Sequence, residues 1–219
     1  MTFTRNFGGI AAFTPAQSIS MFLTKSSVRS AFDPILVRDP VYLRSPQARD
    51  YTEWAELREH SRTHLIRWEQ DWAPENLTLA SFRQRLRQFD RDAKRACGLS
   101  LFVFRRSDSV LVGGLTLTNI RYGAARAATI GYWIGEPYIK CGFGLAAVSA
   151  LLVHVFDSLG LNRVEAACQR GNIASQRLLV SSGFHREGQA EDYLKINGKW
   201  RDHDLYAVTA RRHRERNQD

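Results

Sequence analysis

Between residues 127 and 160 the hydrophobic rhythm of this chain changes once, and that change limits what it can fold into. "ATIGYWIG" (128–135) alternates as a strand does, whereas "LAAVSALLVHVFDSLG" (145–160) repeats at helical spacing. The intervening "EPYIKCGFG" sets Gly142 and Gly144 with one residue between them, where strand gives way to helix. A helix start presents unpaired backbone N–H groups and a partial positive charge, and glycine removes the Cβ that would hold an anion away. The spacing therefore predicts a phosphate cradle, with a tight turn of positive φ as the bland alternative. Lys140 beside the glycines favours the cradle.

The same reading extends over the chain. "VYLRSP" from Val41 is a first strand, followed by two helices, "ARDYTEWAELREHSRTHLI" and the basic "LASFRQRLRQFDRDAKRAC". "LSLFVFRR", "VLVGGLTLTNI" and "RAATIGYWIG" are three strands, the first two joined by a hairpin at "SDS". The long helix is expected to end at Gly160. "NRVEAAC" is a strand, and "NIASQRLLVSSG" a short helix with Asn172 as N-cap and Gly183 just past its end. Two last strands flank the "NG" turn at residues 197–198. The order β-α-α-β-β-β-α-β-α-β-β predicts a mixed α/β (α+β) fold, a mostly antiparallel sheet of about seven strands flanked by helices. One domain is expected over residues 41–210, between an N-terminal extension (1–40) and a basic tail (211–219).

At 219 residues the chain can bury one core, and it contains no run of eighteen apolar residues to span a membrane. A net charge of +9 favours an acidic partner such as nucleic acid, a phosphorylated cofactor or a ribosome-like surface. Cys97, Cys141 and Cys168 are odd in number and lack ligand spacing. They argue against a disulfide framework and a metal site, and for a reducing, cytoplasmic setting. Asp33 is the first acidic residue, a mildly transit-peptide-like start. An extension read from an upstream start codon, with Met21 as the functional start, accounts for it better.

"GFGLAA" formally fits a dinucleotide-binding fingerprint, with Glu165 near the spacing of its ribose-binding acid. However, "EPYIKC" separates the glycines from the strand, and too few strands follow for a doubly wound sheet. No G-x-x-x-x-G-K-[ST] run occurs. Together "GYWIGEPY", "HVFDSLGLNRVEAAC", "N-x-x-S" and the later "SGF" resemble the GNAT superfamily of acetyl-CoA-dependent N-acetyltransferases, and more narrowly its ribosomal-protein-alanine acetyltransferases of the RimJ/RimL type. The resemblance begins at "VYLRSP". It implies that Lys140, Cys141, Gly142, Phe143, Gly144 and Leu145 hold the pyrophosphate of acetyl-CoA, and that backbone N–H groups of Trp133, Ile134 and Gly135 meet the acetyl carbonyl. It departs from the family's Q/R-x-x-G-x-G/A at Ile139 and at Lys140, a place often held by glycine.

The resemblance also implies a pantetheine contact for Asn172 and makes Glu165 the candidate base. On the strand, Glu165 shares a face with Arg163, and an exposed ion pair is nearly as good a reading. Ser175 is the candidate acid for the departing thiolate, with Tyr193 and Tyr206 behind it. Cys141 lacks a nearby His and sits at the pyrophosphate end, which argues against it as nucleophile. An α-amino group, with a pKa of roughly 7.7–8.0 against about 10.4 for lysine, loses its proton with little help. The resemblance implies acetylation of the N-terminal alanine of a ribosomal protein, with a monomer or homodimer expected and no metal needed. The basic second helix offers weak contact with ribosomal RNA. Alternatives are acetylation of a small-molecule amine, or a non-catalytic ribosome- or nucleic-acid-binding module.

Overall fold

The computed structural model describes residues 31–69 and 72–218, so the expectations for residues 1–30, Met21 included, lie outside the described residues. The strands are β1 (Leu36–Arg38), β2 (Val41–Arg44), β3 (Leu99–Arg105), β4 (Leu111–Arg121), β5 (Ala127–Ile134), β6 (Arg163–Gln169), β7 (His185–Ile196) and β8 (Lys199–Thr209). They form one sheet in the order β1-β2-β3-β4-β5-β6-β8-β7. Eight strands replace the expected seven. The addition, β1, is a three-residue edge strand before Val41, too short to show any alternation.

Among the described residues, six α-helices flank the sheet: α1 (Tyr51–His60), α2 (Arg62–Leu65), α3 (Leu79–Lys94), α4 (Phe143–Val153), α5 (Ile173–Ser181) and α6 (Ala210–Arg216). On one face, Phe143, Ala147, Val148, Leu151 and Leu179 of α4 and α5 pack on Leu101, Val103, Leu115, Ile130, Val164, Ala166 and Cys168. On the other, Trp54, Leu57 and Phe82 of α1 and α3 pack on Phe102, Phe104 and Leu111. Alternation along each strand sends neighbouring residues to opposite layers. Thus Ile130 and Tyr132 lean on the α4 side, and Trp133 on the α1 side.

Three helices depart from the periodic reading. The first predicted helix breaks at Ser61, which separates α1 from α2 and is fully buried. Its Oγ accepts the N–H of Glu136 at 2.9 Å, tying the α1–α2 corner to the loop after β5. The long helix runs as α4 only to Val153, and residues His154–Ser158 widen into a π-turn, where the Leu159 N–H reaches the His154 carbonyl at 3.0 Å. There the buried His154 ring bonds the Ala31 carbonyl at 2.8 Å. Part of the C-terminal tail folds as α6, capped by the Thr209 hydroxyl and pinned to α5 by Arg216 Nη2 on the Ser181 carbonyl at 2.5 Å. At the "NG" turn, Asn197 and Gly198 both take positive φ (46° and 75°), as a two-residue hairpin of this twist requires.

Candidate functional site

β5 and β6 form the one parallel pair among the described strands, and their ladder is short: Ala127–Arg163, Ala128–Val164 and Thr129–Glu165. Beyond Thr129 and Glu165 the two strands part, leaving a gap in the middle of the sheet. Each strand then feeds a helix, so α4 and α5 both begin at the open end of the gap. Which β5 groups face the gap follows from pairing with β4. Gly113 lies opposite Ile134, Gly114 opposite Trp133, and the Gly135 N–H bonds the Val112 carbonyl at 2.9 Å. Antiparallel ladders alternate, so the N–H of Trp133 is turned to β4 as well. Of the three amides expected at the acetyl carbonyl, Ile134 faces the gap; Trp133 and Gly135 do not. Tyr132, two residues earlier, shares the phase of Ile134.

The turn into α4 is built for an anion. Gly142 is the N-cap, in the left-handed region at φ 80°, ψ −10°, and no side chain caps the helix. A Cβ there would meet nothing within 4 Å, so the glycine serves the backbone shape and an open approach. Lys140 also takes positive φ (62°), the backbone reason a glycine suits that place. Among the described residues, no group accepts the N–H of Lys140, Cys141, Gly142, Phe143, Gly144 or Leu145. The next amide, Ala146, returns to the Gly142 carbonyl at 3.0 Å.

Gly144 has a different task. A Cβ there would stand 2.6 Å from Leu178 Cδ1, so this glycine lets α4 and α5 approach. Phe143 is buried edge-on against Tyr138 and anchors the turn. The turn's surroundings are positive: Lys140 is exposed, and Arg105 lies over the Tyr138 ring at 5.6 Å. Cys141 is exposed, its Sγ 3.5 Å from the Ile139 carbonyl.

At the start of α5, Asn172 is the N-cap, its Oδ1 accepting the Ser175 N–H at 3.1 Å. Ser175 Oγ lies 2.6 Å from the Tyr132 hydroxyl, bridging α5 to the gap-facing stretch of β5. Burial pushes the Tyr132 phenol well above its ordinary pKa, against a smaller opposite pull from Ser175, so it stays protonated. Cys168 lies on the same side, and burial pushes its thiol up. Tyr206, paired with Ala166, is buried there too, and burial raises its pKa. Tyr193 instead stacks edge-on with His203 in the β7–β8 hairpin, ring centroids 5.7 Å apart.

Tyr132 is the residue the sequence reading missed. Alternation with Ile130 places it on a helix-covered face, and a phenol buried there needs a polar partner. Glu165 sits at the last paired step, at the throat of the gap, on the sheet face opposite Ala166 and Cys168. It makes ion pairs with Arg121 and with Arg163 Nε (2.9 Å), and Arg163 in turn holds Glu187. Glu187 first, then Glu165, hold the Arg163 guanidinium firmly charged. The structure thus shows the ion-paired arrangement, and places Glu165 and Ser175 on opposite sides of the gap.

Residues 41–185 match the acetyltransferase (GNAT) domain family. A probable N-acetyltransferase of Bacillus subtilis, YjcK, is 30% identical over 77% of this chain and 93% of its own length. A ribosomal protein uS5-alanine N-acetyltransferase of Escherichia coli is 28% identical over 80% of this chain and 90% of its own. The structure of Mycobacterium smegmatis RimJ in complex with CoA-disulfide superposes with a TM-score of 0.78 at 29% identity, covering 85% of this chain and 96% of that one. With its parted parallel strands, two helix starts at one opening and this matched span, the chain belongs to the GNAT family of acetyltransferases.

Proposed function

We infer that the protein moves the acetyl group of acetyl-CoA to the N-terminal alanine amine of a ribosomal protein, in the cytoplasm. The observation that carries this reading is the row of unpartnered amides at residues 140 to 145, set at the open end of the β5–β6 gap. Those amides suit a diphosphate, and a pantetheine arm laid along the gap reaches Ile134, Tyr132 and Ser175 in turn. The likeness to the uS5-alanine acetyltransferase at 28% identity supports the acceptor class.

The chain's own groups divide the work. The N–H of Ile134 donates to the thioester carbonyl and stabilises charge developing on its oxygen. The amine nitrogen forms a bond to the carbonyl carbon, the C–S bond breaks, and its electron pair leaves on sulfur. Ser175 Oγ donates a proton to that sulfur, with the protonated Tyr132 hydroxyl behind it at 2.6 Å to resupply it. Glu165 stands on the other side of the gap, where the amine enters. A carboxylate has about four acceptor sites; Arg121 and Arg163 take two of those on Glu165, leaving room to accept the amine's proton through water. The exposed basic face of α3 offers weak contact with ribosomal RNA.

The test is thiol release from acetyl-CoA with an Ala-initiated ribosomal-protein peptide, beside the same peptide acetylated in advance. Release with the free peptide alone is expected. Equal release with both would mean hydrolysis, and none with either would contradict the reading.

A further inference from the structure

On the α1 side of the sheet, beside the gap, lies a cavity of about 220 Å³ lined by Trp54, Arg58, Phe82, Arg85, Phe89 and Trp133, with Glu69 at its wall. At roughly 30 Å³ per water, it holds one side-chain-sized group. The Arg58 guanidinium lies between two indoles, 4.0 Å from the Trp72 centroid and 4.9 Å from that of Trp133. Glu69 takes two of its N–H groups, at 2.9 and 2.5 Å, and also accepts the Trp72 indole N–H. A guanidinium has five such donors. Arg58 Nε is buried and has no acceptor among the described residues.

Arg85 of α3 adds a second guanidinium, 5.8 Å from the Trp54 ring. Arg85 keeps an exposed surface, but partial desolvation of its guanidinium, then the like charge of Arg58, pull its pKa down, with Glu69 opposing. Within the lining, two cations therefore face one carboxylate that is already engaged. Aromatic walls lower the local dielectric and strengthen any charge-assisted bond made there. Trp133 joins this cavity to the gap, because its neighbours Tyr132 and Ile134 present their N–H groups to the acetyl end.

We propose that this cavity is a side-chain pocket of the acceptor site that takes a carboxylate, selecting acceptor chains with an acidic residue within their first four positions. The proposal rests on the acetyl-transfer reading above and narrows its substrate class. An extended chain advances at most about 3.6 Å per residue, so a side chain at position two, three or four, one to three residues beyond the reacting amine, can reach a pocket that Trp133 of the gap-lining strand helps to form. Arg58 and Arg85 are then specificity-determining residues, and the indoles of Trp54 and Trp133 stack on the stem of the bound side chain.

Two readouts test it. The first is turnover of Ala-initiated hexapeptides that differ only by Glu or Gln at position two, three or four. At one of these positions the Glu peptide should show kcat/KM higher by about tenfold or more, the scale of one charge-assisted hydrogen bond. In Arg85→Gln that ratio should fall towards one. The second is quenching of tryptophan fluorescence by the same peptides acetylated in advance, which bind without turnover. Saturable quenching by the Glu peptide, lost in Arg85→Gln and weakened by salt, is expected. Equal quenching by Glu and Gln peptides, or none, would overturn the pocket. Selective quenching without turnover of any free peptide would keep the pocket and defeat the acetyl-transfer reading.

Discussion

Two helices open onto the β5–β6 gap, and they treat their first N–H groups differently. α5 closes its own start: Asn172 Oδ1 takes the Ser175 N–H at 3.1 Å, leaving the Ser175 hydroxyl to Tyr132. α4 leaves its start open: its cap is Gly142, without a side chain, and six successive amides have no acceptor among the described residues. Both helices obey the same rule, that the first turn cannot satisfy its own donors. One answers it with a side chain and the other with a turn that only a ligand completes. Two glycines two positions apart divide these duties again, Gly142 keeping the approach clear and Gly144 letting α4 meet α5.

Gly142→Val puts the largest strain on the comparison. It places a branched side chain where now nothing lies within 4 Å, and should weaken acetyl-CoA binding by roughly 100-fold or more, the worth of two charge-assisted bonds. The fold should survive, at a cost of about 1–2 kcal/mol for the left-handed backbone. Calorimetric titration beside circular dichroism checks both, and unchanged affinity would break the assignment of the turn.

Ser175→Ala keeps the α5 cap, since Asn172 bonds its backbone, but removes the hydroxyl offered to sulfur. The expected loss in kcat is about tenfold to a hundredfold, towards the low end of acid catalysis because the Tyr132 phenol remains nearby. Steady-state kinetics with unchanged acetyl-CoA affinity would separate it from the Gly142 variant.

Gly144→Val sharpens the contrast between the glycines. Its Cβ would stand 2.6 Å from Leu178 Cδ1 and 3.5 Å from Ile134 Cγ1, and its two methyls would reach beyond the space that moving one Leu178 methyl frees, so stability should fall by about 1–3 kcal/mol, read as a lower denaturant midpoint. Asn172→Ala is the smallest expected change. Loss of the cap should cost about 1 kcal/mol, with far less loss of acetyl-CoA affinity than in the Gly142 variant. Loss of binding equal to that variant would show that both helix starts serve the ligand alike.

The sheet was legible where residues alternate, and the change of rhythm around Gly142 located the site. What escaped the sequence depends on partners distant along the chain. Whether Trp133 or Tyr132 turns its N–H to the gap is fixed by the register of Gly113 and Gly114 on β4, and no local pattern carries that phase. The bond between Tyr132 and Ser175 spans 43 residues, so neither residue's neighbourhood announces it. The break at Ser61 depends on Glu136, 75 positions away, and helical periodicity runs through it unmarked. Glu165 presents the converse case. Alternation placed it correctly beside Arg163, and the added hold by Arg121 is set by sheet geometry.

The most direct measurement follows the amides themselves. With ¹⁵N-labelled protein titrated with CoA, the account predicts that the largest shift changes fall on the N–H signals of Cys141 to Leu145, with Tyr132 and Ile134 following. Saturation of CoA binding with those signals unmoved would contradict it.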